Sequence, residues 1–212
     1  MDPDPVEIRV VGCLIEKQRT TPDVYPLSLN SLRLACNQST NRDPVVDYDE
    51  ETVAEALRRL ALRGWTRLAS GAGSRARKYR HLLDEALDLD EAELSLLAVL
   101  MLRGIQTPGE LKQRAARLHA FESLAAVHET LDRLVERELV ARHPRQPGQK
   151  EDRYEHLLGE AAGSEGGGSE GTVTSPEAVA AGSDGEGRIE RLERELLELR
   201  SQLEELRAAL GD

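Results

Sequence analysis

The 212-residue chain is 39% hydrophobic, 32% charged and only 3% aromatic, which calls for modest cores of Leu, Ala and Val and favours helices over sheets. Of its net charge of −11, −8 falls in residues 160–212, where 13 acidic groups face 5 Arg; residues 1–159 are nearly balanced. Two cysteines exclude a disulfide framework, the longest mostly apolar run (Leu94 to Leu102) is too short to span a bilayer, and MDPDPVEIRV has no secretory signal pattern; the expectation is a cytoplasmic chain with no membrane partner.

In chain order, Ile8, Val11, Leu14 and Ile15 predict a helix of about three turns that stops at the Thr-Thr-Pro of 20–22. Ser28 or Asn30 caps a short second helix with Leu32, Leu34 or Ala35, and Cys36 on its buried face. Cys13 and Cys36 both sit in apolar helical patterns and read as buried reduced thiols. Asp47 or Asp49 opens a third helix that turns Val53, Ala56, Leu57 and Leu60 inward and stops at Gly64. WTRLAS, GAGSR and ARKYRH then read as strand, turn and strand.

The whole pattern then recurs. LIEKQRTTP (14–22) aligns with LMLRGIQTP (100–108), LRRLALRGW (57–65) with LDRLVERELV (131–140), and GSRARKYRHLL (73–83) with GQKEDRYEHLL (148–158). In the second copy Leu94, Leu97, Ala98 and Met101 mark the first helix, TPGE (107–110) is a capping box opening the second, and Val127, Leu131, Leu134 and Val135 face inward from the third. The offset falls from 86 at the Thr-Pro to 79 at Leu32/Leu111 and 74 at Leu57/Leu131, so the first copy is longer by 12 residues. About five of these lie between its second and third helices.

Those extra residues belong to LACNQSTNRDPVVD (34–47), a polar segment between apolar ones. Asn and Asp side chains satisfy loose backbone groups in such places, so the reading is an elaborate turn, with Asn37, Asn41, Arg42 and Asp43 kept as a candidate second site.

Three helices and a hairpin, twice over, predict a mainly α protein with small β-hairpins (α+β): two tandem winged-helix domains at 1–85 and 86–159. A flexible acidic linker follows at 160–187, and a coiled-coil helix at 188–211. In that helix Ile189, Leu192, Leu196, Leu199, Leu203, Leu206 and Leu210 alternate spacings of 3 and 4, the seam of a parallel homodimer, with Arg188 facing Glu193 and Glu195 facing Arg200 of a second copy.

GCLIEKQRTTPDVYPLSLNSLRLACNQSTNRDPV, the GSR-K-Y-H hairpin and LLAVLMLRGIQTPGEL together closely resemble the YceH family of uncharacterised bacterial proteins, over roughly residues 7–159. The resemblance implies tandem winged-helix domains and supplies no activity to carry over.

No catalytic or metal-binding spacing is present among the five histidines and two cysteines, and GAGSR is explained by a hairpin turn, so the expectation is a non-enzymatic protein without cofactor or metal. The first hairpin is the strongest functional signal. Arg67, Arg75, Arg77, Lys78 and Arg80 occur with no acid from Trp65 to Leu83, and Arg58, Arg59 and Arg63 extend the strip on the third helix. Such a strip suits double-stranded DNA contacted along its backbone, in a regulatory role. The start of the third helix opposes this with Asp49, Glu50, Glu51 and Glu55, so the alternative is a protein-protein assembly module with a protein partner and no direct DNA binding. The acidic tail is further expected to compete with DNA for the basic hairpin.

Overall fold

The computed structural model describes residues 2–69, 77–145, 148 and 150–159. The whole GAGSR turn with Arg75, the linker and the heptad helix therefore lie outside the described residues. Within them the chain is α+β, with helices packed on small antiparallel sheets.

The first copy runs α1 (Pro5–Thr20), β1 (Leu27–Ser28), α2 (Leu29–Cys36), α3 (Glu50–Leu62), β2 (Thr66–Leu68) and β3 (Lys78–His81). A short α4 (Leu83–Leu87) leads to the second: α5 (Glu91–Arg103), α6 (Pro108–Ala115), α7 (Leu124–Glu136), β4 (Val140–His143) and β5 (Arg153–His156). Capping chemistry sets the starts. Ser28 rather than Asn30 accepts from the Ser31 N–H, and Asp49 rather than Asp47 accepts from Thr52. Thr107 and Glu110 form the predicted capping box. Asp4 with Glu7 and Asp90 with Glu93 cap α1 and α5 in the same reciprocal way.

In the first sheet β3 lies between β1 and β2, with Tyr79 opposite both Leu27 and Leu68. The second sheet pairs β4 with β5, and a single bridge from Gln106 to Tyr154 stands where β1 stands in the first. This third strand is invisible to hydrophobic periodicity, because it is too short to hold a period.

The core is one cluster running through both copies. α1 is buried continuously from Glu7 to Ile15, and α5 from Glu93 to Leu102. A helix buried on every side has neighbours on every side: α1 packs on α2, α3 and β3, α5 on α6, α7 and β5, and the remaining faces of α1 and α5 pack on each other. Gly12 marks the close approach, since a Cβ there would lie 3.1 Å from Leu102 Cδ2 and 3.3 Å from Met101 Cβ. On α2, Ala35 and Cys36 are buried and Leu34 is 54% exposed, which decides the alternative left open by the sequence.

Candidate functional site

Cross-strand pairing places the residues of the first hairpin. Directly opposed residues share a sheet face, so Thr66 with His81 faces inward, both buried, while Arg67 with Arg80 faces outward. Lys78, two residues from Arg80 on β3, joins that outer face. Arg80 reaches Glu85 of α4 at 2.9 Å, whereas Arg67 and Arg77 are exposed and meet no carboxylate among the described residues.

The second hairpin is built alike and charged differently. Ala141 stands opposite Glu155, where the first hairpin has Arg67 opposite Arg80. His143 lies 2.9 Å from Glu155, and Arg142 Nε donates to Asp152 at 2.7 Å. Arg142 and His143 of the second hairpin thus meet carboxylates of their own hairpin, whereas Arg67 and Arg77 of the first meet none among the described residues.

The arginines of α3 divide. Arg58 is exposed and pairs with Glu55 along the helix. Arg59 reaches Asp4 at 2.5 Å and Glu7 at 3.2 Å, and Arg63 reaches Glu7 at 3.0 Å. The second copy repeats the arrangement: Arg133 reaches Asp90 at 2.8 Å and Glu93 at 3.2 Å, and Arg137 reaches Glu93 at 3.1 Å. Burial works to raise the Glu7 pKa, but the Asp4 N–H, Arg63 and Arg59 outweigh it and hold the carboxyl below its usual range. Arg59 and Arg63 thus tie the end of the third helix to the start of the first, which removes them from a free basic strip. The signal was present in the sequence as a matched Asp-x-x-Glu and Arg-x-x-x-Arg in each copy.

The 34–47 segment is largely structural. Asn37 clamps the approach to α3, accepting from the Tyr48 N–H at 2.9 Å and donating to the Tyr48 carbonyl at 2.8 Å. Arg42, with a fully buried side chain, binds Glu16 at 2.5 and 3.0 Å and donates to the carbonyls of Ala35 and Asn41. Asn41 and Asp43 face the other way. The Asp43 N–H donates to the Leu102 carbonyl at 2.9 Å, and Asn41, in the left-handed region at φ 61°, accepts from Arg103. The turn thereby joins the two copies.

Sequence reasoning missed Arg9, buried in α1, which donates to the carbonyls of Cys36 at 3.3 Å and Pro44 at 2.7 Å. Cys13 and Cys36 are free buried thiols, and Cys13 Sγ donates to the Ala35 carbonyl at 3.4 Å. A hydrogen bond with Cys13, together with burial, pushes the Cys36 thiol well above its ordinary range. Among the described residues no cluster of three metal-ligating side chains occurs, and no helix is long and apolar enough to cross a membrane.

These features define an α+β protein made of two copies of a three-helix-and-hairpin unit fused through their first helices. The chain belongs to the family described as "Protein of unknown function, DUF480", whose model matches residues 4–149. It is similar to the UPF0502 protein YceH of Salmonella paratyphi B (strain ATCC BAA-1250 / SPB7) and to that of Salmonella agona (strain SL483). Each is 44% identical over 214 residues, covering 97% of this chain and 96% of the relative. The resemblance read from the sequence is thereby borne out.

Proposed function

We propose that the chain is a non-enzymatic tandem winged-helix protein with a regulatory role, which contacts the backbone of double-stranded DNA through the outer face of its first hairpin. The observation that carries this reading is Arg67 directly opposite Arg80, with Lys78 on the same face. Like charges opposed across two strands cost stability. Glu85 meets Arg80 but not Arg67, so phosphate oxygens relieve the repulsion that remains, and the second hairpin, with Ala141 and Glu155 in the same places, has no such pair.

The contact is of the positioning kind. Asp49, Glu50 and Glu51 are exposed at the start of α3 and repel phosphate, so base reading by that helix is not part of the proposal. Dimerisation through the heptad helix would bring two such hairpins to one duplex.

Titration of a short duplex between 50 and 200 mM salt tests the proposal. Four wing cations (Arg67, Arg77, Lys78 and Arg80) neutralising one phosphate each give a slope of log affinity against log salt of about −3.6. Arg67→Ala with Arg80→Ala lowers its size to about 1.8, and Arg59→Ala leaves it unchanged while reducing stability. Absence of binding at 50 mM salt, or a slope indifferent to the Arg67 and Arg80 changes, excludes the reading and favours the protein-partner alternative.

A further inference from the structure

A cleft of about 280 Å³ opens where the two copies meet, between α1, the 37–47 turn, α5 and α6. Its walls carry Lys17, Arg103, Arg114 and Arg117, its floor Val99, Leu102 and Leu118. A second depression, lined in part by Arg42 and Asp43, shares Asn41, Arg103 and Arg114 with it. Lys17 and Arg103 are the same position in the two copies, 86 residues apart, and the packing of α1 on α5 brings both to one opening. Arg114 and Arg117 have no cationic counterparts in the first copy, where the offset of 79 gives Ala35 and Gln38.

Carboxylates do not balance these groups. Glu16 is held by the buried Arg42, with Lys17 Nζ 3.6 Å away. Arg114 donates to the neutral Gln106 amide at 2.6 Å and lies 3.3 Å from Glu110. Arg103 donates to the neutral amide oxygen of Asn41, and Arg117 is exposed with no hydrogen bond or ion pair among the described residues. Lys17, Arg42, Arg103, Arg114 and Arg117 thus face only Glu16, Asp43 and Glu110, an excess of two positive charges. Burial, then the neighbouring charges of Arg114 and Arg42, holds the Arg103 guanidinium below its ordinary pKa, and Glu16 and Asp43 offset this only in part.

We propose that this cleft is a binding site for a small organic dianion, its charged group held by Arg103, Arg114 and Arg117 and its apolar body lying on Val99, Leu102 and Leu118. Guanidinium forks match the planar edges of carboxylate and phosphate, so a phosphate monoester and a dicarboxylate share the required chemistry. The volume is at the lower end of small-molecule pockets, about 300–1,000 Å³, which limits the ligand to one ring or a short chain. Because the walls come from both copies, a bound ligand also braces the joint between them.

Calorimetric titration of the full chain with phenyl phosphate, phthalate, benzoate and phenol at low chloride tests the site. The expectation is one equivalent of at least one dianion bound with Kd below about 1 mM. Benzoate binds at least about tenfold more weakly, and phenol does not saturate. Saturation by phenyl phosphate alone assigns a phosphate monoester, by phthalate alone a dicarboxylate, and by both a dianion of either head group. Arg103→Gln and Arg117→Gln each weaken binding by about tenfold or more, while Arg33→Gln on α2 does not. Arg117 has no folding partner to lose, so its variant keeps the test decisive if Arg103→Gln destabilises the chain. Lack of saturation by either dianion at 10 mM, or affinity unchanged in both variants, overturns the site. Neither result bears on the hairpin's DNA slope.

Discussion

Arg42 shows how much a single side chain carries in this protein. Its guanidinium is wholly buried, bidentate to Glu16, and holds the Ala35 carbonyl near the end of α2. Removing one partner of a buried ion pair leaves the other charge uncompensated, so Arg42→Ala is expected to lower stability by about 3–5 kcal/mol in urea denaturation. Arg42→Lys recovers less than half of this, because an ammonium cannot serve Glu16 with two parallel donors and Ala35 with a third. A midpoint unchanged in Arg42→Ala would show that the turn holds without it. Of the four residues proposed from the sequence as a second site, Asn37 and Arg42 are occupied by their own fold, Asn41 lines the cleft and Asp43 the depression beside it. Composition marked this stretch as unusual. It did not separate the two pairs, because the partners Glu16, Leu102 and Arg103 come from other helices.

At the scale of elements, α1 and α5 do what the outer helices do not. Both are legible as helices from apolar spacing, and the inward faces of α3 and α7 follow from the same signal down to Val53, Leu57, Leu60, Val127, Leu131 and Leu134. The double burial of α1 and α5 was not read, since a 3.6-residue period reports one face and these helices have two. Runs such as VVGCLI and LLAVLML are its trace in the sequence. Gly12 permits the contact. In Gly12→Leu the added side chain meets Leu102 and Met101, and overpacking of this kind costs about 1–3 kcal/mol. A thermal midpoint equal to that of the parent chain would place the α1–α5 contact elsewhere. The same separation would widen the cleft, so this variant also weakens dianion binding.

For the whole molecule, acid is the informative stress. Burial drives the pKa of both His81 and His156 down to about 4; for His81 the nearby Asp84 works against that shift without overcoming it. Their ordinary value is about 6.5, so between pH 6.5 and 4 the unfolded chain binds more protons than the folded one. Stability is therefore full above pH 6.5 and falls on acidification, by up to about 1.4 kcal/mol per pH unit for each histidine. Glu7, whose pKa lies below its usual range, adds a loss of the same sign at lower pH. Urea midpoints at pH 7.5, 6 and 5 check this, and His156→Gln should remove about half of the slope above pH 5. A flat profile in the parent chain would contradict the burial of both rings.

Duplication, element order, caps and hairpins are written locally, in spacings of three or four residues and in side chains that reach their own backbone, and for that reason they are legible in the sequence alone. The fate of each charge is settled over long range. Arg59 and Arg67 look alike in a basic strip eight residues apart, yet one is spent on the α1 capping box and the other stands opposite Arg80 at the surface. Lys17, Arg103 and Arg114 are unremarkable where each stands in the sequence, and become a site only when α1 and α5 pack together and α6 and the 37–47 turn close around them. Electrostatic character depends on the distances between charges and on what screens them, and those distances exist only in the folded chain.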